Sequence, residues 1–424
     1  MARIEPQTVR REALVIYAET EAAPANHHPV VWAKLPDDSG ETLALERHGT
    51  GFRLYVSPQE SRAERYALKA LVARWMPRSR TAKCLRWKLP NRQLELMRST
   101  EHAKAFYAGL QVCAMPWLCP VCSAKIAERR KAELQAAMAT AKARGWQVLL
   151  LTLTVPHGMG DDLNVMLDQM RQAWRYCSTS RAGKAMRKAI GLMGTVRALE
   201  VTYGQNGFHP HFHVLLFLDK SKTPHEVAQS FAPIWQRACL KAGLERPSDE
   251  HGCRVDDGSR AADYVAKGGL DSHWGFEDEV TKGHSKKGRR GSLTPFDFLR
   301  AYRETGDDKF RRLFLVYADA FSGQRQLYWS NGLKALLAVE DLTDEEVATQ
   351  EDDADIVLAQ LTSDDWKAVV DTHSEAALLN VAETHPDALE AFLDGVRAIA
   401  RACRGSGTRR RLAFPLRLAG EREG

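Results

Sequence analysis

The chain has 424 residues, of which 44% are hydrophobic and 27% charged, enough for two or three domains with a sizeable core. No apolar run approaches the roughly 18 residues of a membrane span, and the stretch around Ala13 to Ala18 is too short for a secretory signal, so a cytoplasmic protein with no membrane partner is expected. The net charge of +6 is uneven: residues 338–400 hold 17 Asp or Glu against Lys367 and Arg397, leaving 58 basic and 37 acidic residues elsewhere, a surplus that favours a polyanion such as nucleic acid.

Residues 1–80 mix short apolar runs with Pro, Gly and Asp breaks and carry no evident chemistry. Next come four of the eight cysteines, Cys84, Cys113, Cys119 and Cys122, clustered in a way that suits a metal better than a disulfide framework. Cys113-x5-Cys119-x2-Cys122 offers three thiolates, and Cys84 is the expected fourth, with His102 as a substitute; together they predict a closed tetrahedral Zn²⁺ site. A redox reading of Cys-Pro-Val-Cys lacks the βαβ surroundings it needs. Ser123 is placed to cap a helix running through Ile126, Leu134 and Met138 to Gly145. Its first turns carry Lys125, Arg129, Arg130 and Lys131, candidate DNA-phosphate contacts or else a solvated face.

The run 148–155 predicts a strand ended by Pro156, followed by a helix over about 161–177. Residues 195–203 and 208–218 predict an antiparallel hairpin about Gly204-Gln205-Asn206-Gly207. Alternation along the second strand puts His209, His211 and His213 on one face, and both turn registers, Gln205-Asn206 or Asn206-Gly207, place Glu200 there too, opposite His211 or His213. Two imidazoles and a carboxylate with open positions suit Mg²⁺ or Mn²⁺ acting on a phosphate; the bland reading is a pair of hydrogen-bonded histidines. A helix over 223–242, a short strand at 252–256 and a helix over 259–267 follow. The last carries Tyr264 and Lys267 on one face, where a cation or metal could favour the phenolate over its ordinary acid form near pH 10. A Gly and Lys/Arg-rich stretch at 282–292, helical periodicity from Phe296 to Leu337, the acidic segment and a basic tail, Arg409 to Arg411, complete the chain. The pattern predicts an α+β fold with an antiparallel sheet flanked by helices.

The ordered set LLLTLTVP (149–156), EVTYGQNGFHPHFHVLLF (200–217) and ADYVAKGG (262–269), preceded by CPVCSAKIAERR (119–130), resembles the plasmid rolling-circle replication initiators of the HUH endonuclease superfamily. The resemblance covers about residues 84–335 and implies an HUH nuclease palm in which His211 and His213 bind the metal, Glu200 is a third ligand, Tyr264 is the nucleophile and Lys267 its partner one turn on. It implies a site-specific nick in origin DNA, single-stranded at that point, a 5′-phosphotyrosine link and a 3′-OH that primes a host polymerase, with a host helicase as a further partner. Where relatives carry a second tyrosine or a glutamate one turn before the nucleophile, this chain has Arg260; Asp256, Asp257 and Asp263 are the nearby substitutes. The expected organisation is an accessory region (1–80), a zinc-binding segment with a basic helix (81–145), an HUH endonuclease domain (146–292), a helical extension (293–337) and an acidic helical C-terminal region with a basic tail (338–424). The competing readings are an HUH transposase or relaxase, a non-catalytic zinc-organised DNA-binding regulator, and a zinc hydrolase, which lacks further ligands near the histidine pair.

Overall fold

The computed structural model describes residues 58–100, 102–258, 292–349 and 355–405, together with four earlier strand segments. The chain divides near Ser61 into two compact units, and each stands by itself. The first contains a four-stranded antiparallel sheet in chain order, β1 (Ile16–Tyr17), β2 (Val30–Lys34), β3 (Thr42–His48) and β4 (Gly51–Leu54).

The second unit is built on a five-stranded antiparallel sheet, ordered β10 (Cys253–Asp257), β7 (Gln147–Thr154), β9 (Gly207–Leu218), β8 (Leu192–Gly204) and β11 (Leu327–Trp329). Central β9 explains its own sequence. Residues 214–218 are apolar without alternation because both faces are covered there, whereas 208–213 alternate because one face opens. On one face Phe212, Val214 and Leu216 pack with α4 (Leu163–Thr179), α6 (Pro224–Lys241), α7 (Pro295–Thr305) and α8 (Asp308–Phe321). On the other, Leu215 and Phe217 meet Leu134, Ala137 and Ala141 of α3 (Pro120–Ala143). Each buried phenylalanine stabilises this sandwich by about 1.5–3 kcal/mol. The predicted α+β class with antiparallel sheets flanked by helices holds.

A three-stranded sheet, β12 (Ile356–Gln360), β5 (Glu95–Arg98) and β6 (Ala105–Ala108), joins the cysteine segment to the acidic one. Around it, Leu94, Leu96 and Tyr107 share a core with Trp366 of α11 (Ser363–Asp371) and Leu378 of α12 (Glu375–Thr384), and with Leu393 of the last helix, α13 (Leu389–Gly405). Two strands, β11 and β12, therefore interrupt stretches read from the sequence as helical. The helix expected to start at Ser123 starts at Pro120, with Cys119 as its N-cap, because proline at the first position needs no N–H partner. No helix among the described residues is long and apolar enough to cross a membrane.

The acidic segment neutralises specific cations of the second unit. Arg62 bonds Glu383 at 2.5 Å, and Arg130, only 5% exposed, bonds Asp344 at 2.8 Å, the Leu342 carbonyl and Glu133. Arg130, expected to contact DNA, is thus enclosed in a structural ion-pair network. Removing it leaves mostly buried Asp344 without its cation and Glu133 with Lys334 alone, so Arg130→Met is expected to destabilise the protein by about 3 kcal/mol in urea unfolding while the folded fraction keeps its DNA affinity; unchanged stability with lost DNA binding would return Arg130 to the DNA surface.

Candidate functional site

The β8–β9 hairpin closes through Gly204 opposite Gly207, which leaves Gln205-Asn206 as a two-residue loop. Gly207 has φ +86°, a conformation that favours glycine, and a Cβ there would come within 3.1 Å of the Gly158 carbonyl. This selects the first of the two registers: Glu200 is opposite His211, Ala198 opposite His213, and Thr202 opposite His209. On the other side of β9, Thr152 and Thr154 of β7 pair with His213 and His211.

Both imidazole Nε2 atoms lie 2.6 Å from the same Glu200 oxygen, Oε2. His211 Nδ1 is 3.4 Å from the His209 carbonyl, which can only accept, and His213 Nδ1 is 3.2 Å from the Thr152 hydroxyl. The backbone and a threonine therefore orient the far side of each ring and aim both Nε2 atoms at one point. Burial opposes ionisation of Glu200, yet the two imidazoles outweigh it and hold the carboxyl well below its usual range. Burial likewise opposes the charged form of His211, but the Glu200 carboxylate raises it above the ordinary histidine value; burial and the neighbouring His211 push His213 down. The three donor atoms lie within 4.8 Å of one another, the chemistry of two imidazoles and a carboxylate suits a divalent ion, and its identity is open.

Thr152 was not singled out in the sequence, although the Leu-Thr alternation of 151–154 put it on the histidine face. His157 was not either. It arrives from the loop after β7 and stacks on His209 at 4.4 Å, extending the row of imidazoles through His211 to His213. Register places Arg254 of β10 directly across from Thr152, on the same face. Arg254 bonds Asp256 at 2.9 Å and remains largely exposed. Tyr264, Lys267, Arg260, Asp263 and the 282–290 basic run lie outside the described residues.

The four cysteines meet as the spacing predicts. Cys84 follows the short helix α2 (Arg80–Lys83), Cys119 caps α3, Cys122 lies in its first turn, and Cys113 comes from the loop between β6 and α3. Sulfur–sulfur distances are 3.5 Å (Cys84–Cys122), 3.6 Å (Cys113–Cys122) and 3.9 Å (Cys84–Cys119). A tetrahedron with Zn–S bonds of about 2.3 Å has edges of about 3.8 Å, so the set fits zinc, and His102, on an exposed loop, is not part of it. Burial opposes a thiolate at Cys119, but its three thiol neighbours hold it well below the ordinary value. Buried Lys69 donates to the Cys84 carbonyl at 3.1 Å, a cation beside a cluster whose four thiolates would outweigh the charge of one bound zinc.

Of the proposed DNA contacts, Lys125, Arg129 and Lys131 are half-buried on α3, and Lys125 lies 5.9 Å from the Phe106 ring. A more open cationic surface went unnoticed. Residues 77–94 contain six Lys or Arg and no acid. Arg78, Arg86, Lys88 and Arg92 are exposed and form no ion pair among the described residues, and Trp87 stands 57% exposed between them. The arm is rigid: Leu85 and Leu89 donate to the Gln111 and Gly109 carbonyls, and Trp366 donates its indole N–H to the Arg86 carbonyl.

A sheet carrying two histidines and a glutamate, in a chain that also gathers four cysteines, offers two groups able to hold a metal, and comparison identifies the family. A family model described as "Replication protein" matches residues 105–374, and the chain belongs to that family. It is 27% identical over 338 residues to "Protein rep" of Streptomyces lividans, covering 62% of this chain and 73% of that protein. It is 31% identical over 144 residues to a "Neomycin resistance protein" of Streptomyces cyanogenus (28% of this chain, 33% of that one) and 32% identical over 127 residues to "Protein rep" of Staphylococcus aureus (28% and 52%). No solved structure matches significantly. The resemblance to plasmid replication initiators is borne out.

The cysteine geometry gives a direct test. Metal analysis of the purified protein is expected to find one zinc per chain, with Cys122→Ser losing it and unfolding at lower temperature; a stable, zinc-free parent would remove the metal from the account.

Proposed function

We propose that this replication initiator nicks one strand of its origin by tyrosine transesterification at the Glu200–His211–His213 face. The observation that carries the reading is the convergence of two Nε2 atoms and a carboxylate oxygen at the polar end of a sheet, within a chain of the replication protein family. A divalent cation such as Mg²⁺ or Mn²⁺ held there would supply Lewis acidity toward a scissile phosphate.

Tyr264 is the proposed nucleophile. It follows Gly258 by six positions, a span of up to about 20 Å, and the sheet distance from the Leu149 row, where β10 ends, back to Thr152 is about 10 Å, so the chain has the reach. The phenol oxygen bonds to phosphorus as its proton leaves, the bond from phosphorus to the 3′-oxygen breaks, and that oxygen takes up a proton. The products are a 5′-phosphotyrosine and a 3′-OH primer. One phosphodiester replaces another, so the later rejoining needs no nucleotide energy. Lys267 is proposed to favour the phenolate, and Arg254 to draw the DNA phosphate onto the histidine face. Arg86, Lys88 and Arg92 would hold neighbouring phosphates, with Trp87 available to stack on an unpaired base.

Conversion of a supercoiled origin plasmid to open circles in Mn²⁺ tests the proposal. His213→Ala is expected to slow nicking on the order of 10³-fold, and Arg254→Ala, an exposed and salt-screened charge, about tenfold. Nicking by His213→Ala at the parent rate would leave the histidines as packing groups and favour the non-catalytic DNA-binding reading.

A further inference from the structure

Arg197 sits in β8, three residues before Glu200 but on the opposite face of the sheet. It is 8% exposed and lies among aromatic rings, 4.3 Å from the Phe212 centroid, 4.8 Å from Tyr328 and 5.7 Å from Trp174. No carboxylate pairs with it among the described residues, and its Nε and Nη1 atoms are buried with no hydrogen-bond partner. Burial lowers its pKa to about 10, which still leaves the guanidinium charged at neutral pH. Ring faces offset part of the lost hydration, but they do not satisfy the in-plane N–H groups. A buried cation with unmet donors is costly unless something supplies the anion.

The surroundings are built to supply one. Arg197 lines a groove of about 370 Å³ between the sheet edge and helices α4, α5 (Arg181–Ala189) and α6, together with Ser178, Arg187, Tyr328, Ser330 and Asn331. Residues 169–199 contain seven Lys or Arg and no acid, and Arg181, Lys184 and Lys188 stand exposed on α5 next to Arg187.

We propose that this groove is an anion site that takes a phosphate group, with Arg197 and Arg187 as its cations, and that the exposed cations of α5 lead a DNA strand to it. The proposal deepens the reading of DNA as partner and adds a contact on the face opposite the nicking site. A free phosphate offers the same chemistry, so the test separates the two sources.

Affinity of the full-length protein for a fluorescent single-stranded origin oligonucleotide is measured across salt concentrations without added divalent metal, alongside thermal unfolding in inorganic phosphate. Arg197→Met keeps the approximate length of the side chain, and Arg187→Ala changes a half-buried position on α5. Each variant is expected to lower oligonucleotide affinity about tenfold and to reduce the slope of log K against log salt by about 0.7, one phosphate's worth on a single strand. If phosphate raises the unfolding temperature of the parent but not of the variants, while oligonucleotide binding is unchanged, the site stands with free phosphate as its source. Parent-like affinity, slope and phosphate response in both variants overturn it. Because no cleavage is read, failure of the nicking chemistry would leave this result intact; should Arg197→Met not fold, Arg187→Ala decides alone.

Discussion

The register of the β8–β9 hairpin governs the chemistry of this protein. Strand side chains alternate, so a slip of one residue would turn His211 and His213 into the apolar layer and push Phe212 and Val214 out of it. Two constraints prevent the slip: the Gln205-Asn206 loop, whose following glycine adopts φ +86°, and the burial of Phe212, Val214 and Leu216 under α4 and α6. Hydrophobic burial thus aligns Glu200 with both imidazoles. The carboxylate and histidines gain a common point of aim from forces that have nothing to do with metal binding.

A second organising element lies at the cysteine cluster. Three pieces of chain, the turn after α2, the loop before α3 and the start of α3, meet around the sulfurs, and the C-terminal segment completes their core through β12 and Trp366. The acidic residues of that segment are placed against particular arginines, Arg62, Arg80 and Arg130, and form no ion pair with Arg86, Lys88 or Arg92 around Trp87 among the described residues. Charge opposing the fold is neutralised, and charge available to a polyanion is left in solvent.

Much of this was legible in the sequence because it is local. Strands β7, β8 and β9 are long runs with clean periodicity and a glycine-flanked turn, and the cysteine spacing carries its own geometry. What escaped reading depends on distant partners. Strand β11 is three residues long and finds β8 about 130 positions away; β12 finds β5 some 260 positions away, inside a stretch that otherwise reads as helix. Arg130 looks like any surface cation until Asp344 is brought beside it, and Arg197 becomes unusual only when Trp174, Phe212 and Tyr328 close around it.

The central claim is that the histidine face serves a tyrosine nucleophile, and one measurement addresses it most directly. The protein is incubated in Mn²⁺ with single-stranded DNA of its replicon, denatured and digested, and the DNA-linked peptide is identified by mass spectrometry. The account predicts a covalent adduct on the peptide containing Tyr264, absent in Tyr264→Phe. An adduct on another residue, or none across the whole replicon, would contradict it.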